Sequence, residues 1–188
     1  MNAIVAQGDA KRALSPAASQ ATADHTQYLT FMLGGEVYAI GILAVKEIIE
    51  YQGLTEVPMM PSCIRGVINL RGAVVPVMDL ATRFGKEMTE VTKRTCIVII
   101  EMEAAGERQV IGAVVDAVNA VLEIPAAEIE PAPRFGAKIN TDFIAGMGKV
   151  NGKFVILLNV DSVLSMAEMD ALAALGSGAA QVATAIHA

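Results

Sequence analysis

From Tyr28 onward, apolar and polar residues alternate in short runs, and glycine-containing steps separate those runs. A period of two is the mark of a strand with one face buried. Leu29, Phe31 and Leu33 interleave with Tyr28, Thr30 and Met32, and Gly34-Gly35 supplies a two-residue turn able to take positive φ. In that register Phe31 faces Tyr38 and Leu29 faces Ile40, so both strands turn their apolar residues to one face. A second hairpin reads from Gly66 to Val77 about Arg71-Gly72, with Pro76 confining its strand to an edge or a bulge. A third runs from Thr95 to Met102, turns through Glu103 to Glu107 around Gly106, and returns from Arg108 to Val115. The fourth joins Met147–Val150 to Lys153–Val160 about Asn151-Gly152, the strongest short-range hairpin dipeptide. Val114, Val115, Val118, Val121 and Leu122 fit a helical stripe as well as a bent strand, and periodicity leaves both open.

These elements repeat. Gly66, Gly72, Asp79 and Leu80 are matched by Gly146, Gly152, Asn159 and Val160 at a constant offset of 80, and Ile40-Gly41 is echoed by Ile111-Gly112. The repeat favours a strand for the ambiguous segment, because its counterpart Ile42–Ile49 is equally β-branched. Two units of about five short strands with glycine turns close most economically into small barrels, which also removes exposed edges. The predicted fold is therefore all-β: two five-stranded β-barrels in tandem, over roughly 27–88 and 93–160, followed by a short C-terminal helix. Whether the barrels exchange a strand is left open. Residues 1–26 are rich in Ala, Ser, Thr and Gln and read as a flexible tail. Ser165 and Glu168 have capping-box spacing, and Gly176 is a C-cap for an alanine-rich helix over 161–176, with a frayed tail from 177 to 188.

Composition narrows the function classes. The chain has 188 residues, 54% hydrophobic, with 20 acidic against 14 basic side chains and a formal charge of −6, so clustered cations for phosphate backbones or anionic lipid are lacking. Aromatics are only 4%, too few for a base-stacking platform. Neither nucleic acid nor a membrane surface is an expected partner, and no apolar run approaches a spanning helix, so a soluble intracellular protein is expected. Cys63 and Cys96 lack metal or CxxC spacing and read as inert small side chains. His25 and His187 lie in the predicted tails, which leaves imidazole chemistry without material. Gly146-Met147-Gly148-Lys149-Val150-Asn151 lacks the last glycine of a dinucleotide fingerprint and opens a hairpin where that motif must open a helix. Glu101, Glu103 and Glu107 fall on a predicted turn and read as a solvated acidic cluster. No cofactor, metal or catalytic residue is expected. Glu47, which interrupts an apolar run, and Arg71, a charge at a tight turn, would both border a groove between side-by-side barrels.

Five blocks carry a resemblance. Val45-Lys46-Glu47-Ile48, Val57-Pro58-Met59-Met60-Pro61, Ile64-Arg65-Gly66-Val67-Ile68-Asn69-Leu70-Arg71-Gly72, Val75-Pro76-Val77-Met78-Asp79-Leu80 and Gly112-Ala113-Val114-Val115-Asp116 resemble the CheW family of bacterial chemotaxis coupling proteins. The similarity runs over 27–169. The resemblance implies two SH3-like barrels and an adaptor without enzymatic activity, bridging the cytoplasmic tips of methyl-accepting chemoreceptors to the regulatory domain of the histidine kinase CheA. It implies a cytoplasmic protein recruited to receptor arrays at the inner face of the membrane, without insertion into it. Residue by residue, Val45, Glu47, Arg71, Cys96 and Val121 match positions implicated in receptor coupling, with Gly66 and Gly146 as backbone-critical turns; Gly72 and Gly152 are structural turns on the hairpin reading above. Cys96 stands where the family often has valine. Kinase-binding residues remain unassigned. Two alternatives stay open: a CheW-like scaffold of a parallel pathway with a non-motility output, and a small-ligand-binding β-barrel.

Overall fold

A computed structural model of the chain describes residues 25–104, 106–132 and 141–165. The predicted helix over 161–176 lies mostly outside these residues. The strands are β1 (His25–Leu33), β2 (Glu36–Gly41), β3 (Val45–Glu50), β4 (Ile64–Leu70), β5 (Ala73–Asp79), β6 (Cys96–Ala104), β7 (Glu107–Val115), β8 (Ala117–Pro125), β9 (Ile129–Glu130), β10 (Ile144–Val150) and β11 (Lys153–Leu158). Two single-turn helices, α1 (Leu80–Arg83) and α2 (Val160–Val163), follow β5 and β11. Strand β1 opens at His25, two residues inside the stretch predicted as tail.

The hairpins form where the turn residues place them. Leu29 pairs with Ile40 and Phe31 with Tyr38 about Gly34-Gly35, both at positive φ. Arg71-Gly72 and Asn151-Gly152 are two-residue turns with φ of 51° and 85°, and of 50° and 75°, the primed geometry that matches strand twist. The third hairpin is tighter than its sequence indicates: β6 and β7 pair as far as Ala104 with Glu107. The ambiguous valine segment is strand, split between β7 and β8 by a bend at Asp116. Bulges fall at equivalent places in the repeat, between Ile64 and Gly66 and between Ile144 and Gly146.

Sheet membership does not follow the two sequence halves. The five-stranded sheet runs β3-β6-β7-β5-β4 and the six-stranded sheet β8-β1-β2-β11-β10-β9. Each half thus lends its first hairpin to the other half's sheet: β7 pairs in parallel with β5, and β2 in parallel with β11. Both sheets curl back on themselves. Thr55, downstream of edge strand β3, exchanges two hydrogen bonds with Val67 of the opposite edge strand β4. Edge strand β8 leads through the 3-10 turn Ala126–Glu128 into β9, which pairs with β10.

Three apolar clusters result. Ile68, Val75, Val77, Ile97, Ile99 and Val114 fill the five-stranded sheet, and Ala39, Ile124, Val155 and Leu157 fill the six-stranded one. The largest, with Leu29, Phe31, Tyr38, Met78, Val98, Ile100 and Val115, lies between the two sheets. Phe31, Tyr38, Phe84 and Phe143 form one row through that seam, with successive centroids 6.2, 5.7 and 6.0 Å apart. Half of the chain's eight Phe and Tyr residues are therefore spent on joining the sheets.

Candidate functional site

The connection from β2 to β3 crosses from one sheet to the other within three residues, the 3-10 turn Ile42–Ala44. So short a crossing gives an apolar run no room to bury every side chain, and Leu43 stands 96% exposed. Beside it an apolar groove of ≈ 360 Å³ opens along the seam. One wall is Ile42, Leu43 and Ala44 with Glu101 and Met102 of β6; the other is Ala145, Leu158 and the start of α2, Asn159 to Asp161.

Local capping positions that second wall. Asn159 caps α2 by accepting from the Ser162 N–H at 3.4 Å, and its own N–H donates to the Phe143 carbonyl at 2.8 Å. The equivalent cap in the first half is stronger. Asp79, fully buried, accepts from the N–H groups of Ala81 (3.0 Å), Thr82 (3.4 Å) and Thr89 (2.9 Å) and from the Thr89 hydroxyl (3.0 Å). The Arg65 guanidinium lies 3.5 Å away as counter-charge.

Charge borders the groove on the five-stranded side. A bulge between Val45 and Glu47 lets Lys46 reach Glu101 at 3.1 Å, and Arg108 approaches the same carboxylate at 3.5 Å. The Lys46 hydrogen bond, then its charge, holds Glu101 below the usual carboxylate range. One residue on, Glu47 accepts from Arg71 at 2.8 Å, a contact made by an arginine in the left-handed region. Burial pushes the Cys63 thiol up and away from reactivity, and likewise raises the Tyr38 hydroxyl. Among the described residues no group of His, Cys, Asp and Glu could hold a metal ion.

The structure brings Glu47 of β3 into contact with Arg71 of the β4–β5 turn, and Val45 precedes Glu47 on β3, packed on the seam core beside Ile100. Cys96 opens β6 at the far end of the β3–β6 pair, half-buried, its thiol donating to the Arg94 carbonyl at 3.3 Å. Val121 lies apart on β8 in the other sheet, opposite Leu29 and 49% exposed. None of these five lines the groove, although Val45 follows directly on its Ala44. Gly66 and Gly146 sit at the bulges, where a Cβ would lie 2.4 Å from the Thr55 oxygen and 2.8 Å from Ile129 Cγ2 respectively; Gly72 and Gly152 are open turn positions that need only their positive φ. Sequence reasoning missed Leu43 and the α2 wall. Ile42-Leu43-Ala44 is unbroken apolar sequence, so alternation assigns it no outward face.

Comparison with known proteins decides the family. The model of the CheW-like domain matches residues 27–168. The chain belongs to the CheW-like domain family. Chemotaxis protein CheW of Klebsiella aerogenes is 37% identical over 143 residues, 76% of this chain and 84% of that protein. Protein FrzA of Myxococcus xanthus is 29% identical over 149 residues, 78% of this chain and 90% of that one. Among solved structures, the scaffolding protein TtCheW of Thermoanaerobacter tengcongensis superposes with a TM-score of 0.66 at 34% identity, covering 74% of this chain and 87% of that one. The CheW-like chain is thus a chemotaxis-type scaffold, all-β like its structural neighbour. Among the described residues no helix is long and apolar enough to cross a membrane.

Proposed function

We propose that this chain is a non-catalytic adaptor that couples the cytoplasmic tips of methyl-accepting chemoreceptors to the regulatory domain of the histidine kinase CheA, in arrays at the inner face of the membrane. The observation that carries this reading is the open apolar groove at the seam, with Ile42, Leu43, Ala44 and Met102 on one side and Ala145, Leu158 and Val160 on the other, bordered by the ion pairs of Glu101 with Lys46 and Arg108. A groove of that kind receives an amphipathic helix by burying anchors at regular spacing, while rim charges set its register. Receptor tips are helical hairpins, which present such a helix. Val45, Glu47, Arg71, Cys96 and Val121 contribute to receptor coupling in this reading, with Glu47 and Arg71 acting as one paired unit.

A groove of this size gives modest affinity per contact, because association costs offset most of the apolar gain. Repetition in an array supplies avidity. The test is co-sedimentation of the protein with receptor-containing membranes and kinase, together and singly. Recruitment of kinase that requires both membranes and adaptor is expected. Leu43→Asp and Val45→Asp should each abolish receptor recruitment by placing a charge against apolar surface, and Glu47→Ala or Arg71→Ala should weaken it with the fold intact. Wild-type recruitment by Leu43→Asp would remove the groove from the interface, and wild-type recruitment by Val45→Asp would remove Val45 from it.

A further inference from the structure

We infer that Arg83 is a positioning residue for the groove: it fastens the α2 wall to the first half of the chain and so holds the groove at the width a helix needs. This rests on the groove being the helix-docking site.

Arg83 ends α1, whose base is the fully buried Asp79 with its four hydrogen bonds. From that rigid base the Arg83 Nε donates to the Val163 carbonyl at 3.0 Å, a group at the C-terminal end of α2 with no partner inside that single turn. The guanidinium also lies over the Phe143 ring, 4.6 Å from its centroid. Phe143 in turn accepts from the N–H of Asn159, the first residue of α2's cap. One side chain therefore grips α2 at both ends: directly at its last carbonyl and through Phe143 at its first. The residues between those grips, Asn159 to Asp161, are the part of α2 that faces Ile42–Ala44 across the groove.

The two halves are unequal in what holds them. Asp79 binds four donors, whereas Asn159 caps α2 with one bond of 3.4 Å. The position equivalent to Arg83 at the offset of 80 is Val163, which is buried and supplies only its carbonyl. At that equivalent position the second half therefore has no arginine to return the grip. Without Arg83, α2 keeps its buried Val163 and Leu164 in the seam core but loses the bond that fixes the wall's position, so the docking helix must set that position itself.

The experiment compares the full-length wild type with Arg83→Met, which keeps an apolar stem on the seam but removes donor and charge, and Arg83→Lys, which keeps a cation and a donor. Binding is measured separately to a soluble receptor-tip helical hairpin and to the kinase regulatory domain, alongside amide hydrogen exchange. Arg83→Met should bind the receptor tip about tenfold more weakly, the equivalent of ordering one or two extra side chains on binding, with kinase affinity unchanged. Amides over 159–164 should exchange faster while β4 to β7 keep their protection, and Arg83→Lys should recover most of the affinity. Faster exchange over 159–164 with wild-type receptor affinity overturns the positioning role. So does an equal loss of both partners with protection falling in every strand, which marks a general stability role. Leu43→Asp separates the two ideas: if it abolishes receptor binding while Arg83→Met does not weaken it, the groove stands and the positioning role falls. If Leu43→Asp binds normally, the docking site itself is misplaced.

Discussion

Arg71 occupies the first position of a primed turn at φ 51°, where the matching hairpin of the second half has Asn151 at φ 50°. A left-handed conformation costs a non-glycine residue about 1–2 kcal/mol, less for asparagine, whose short side chain bonds locally. The exposed ion pair with Glu47 returns at most about 1 kcal/mol. Strain without a stability gain at a surface turn is a sign of use in binding. Arg71→Asn should therefore leave stability level or raise it by up to about 1 kcal/mol in urea titration, while receptor coupling falls. A loss of stability larger than the value of an exposed ion pair would make the arginine structural. Gly66 and Gly72 make a second contrast of residues. A Cβ at Gly66 meets the Thr55 oxygen at 2.4 Å, but at Gly72 it meets open space. Gly72→Ala should cost about 1 kcal/mol, from its backbone conformation alone. Gly66→Ala must also break the Thr55–Val67 bridge and should cost about 3 kcal/mol or more by thermal denaturation. Both glycines are legible in the sequence as repeats at an offset of 80, yet the difference between them depends on a backbone 11 residues upstream that no local pattern reveals.

The hairpins were the legible elements, because turn chemistry and period-two alternation agree on register, as at Phe31–Tyr38. The elements that shape the groove were not, since they are governed by caps and bulges whose partners lie far away in sequence. The cap of α1 is the clearest case. Removing the Asp79 carboxylate strands four donors and leaves the Arg65 charge without its counter-ion. Asp79→Ala should cost about 3–5 kcal/mol, and Asp79→Asn, which imitates Asn159, distinctly less, by chemical denaturation. The bulge in β3 makes a milder prediction. Because Lys46 holds Glu101 below the usual carboxylate range, that pairing stabilises the fold at pH values above the ordinary range for glutamate. It is lost as pH falls through the depressed midpoint. The Glu101 carboxyl resonance should titrate below an ordinary glutamate in the wild type, and its midpoint should rise in Lys46→Met.

At the scale of the molecule, the decisive feature is the exchange of first hairpins between the two sheets. The repeat was visible in the sequence, but alternation assigns a strand its faces and not its neighbours, so which hairpin completes which sheet was not. The groove was hidden for the same reason: its walls come from β1, the β2–β3 turn, β6, β10, β11 and α2, and meet only once the exchange has been made. With a seam core shared by both sheets, unfolding should be a single transition in urea, coincident when followed at probes placed in either sheet. A fragment of either half alone should remain unfolded. The exchange also bears on how such a chain can arise. A single unit with this strand plan cannot complete its own sheet, whereas two copies can, each inserting its hairpin into the other. The strand order of this protein is what tandem duplication of a half-length, intertwined homodimer would leave behind, with the former subunit boundary now a covalent loop between Phe84 and Thr95.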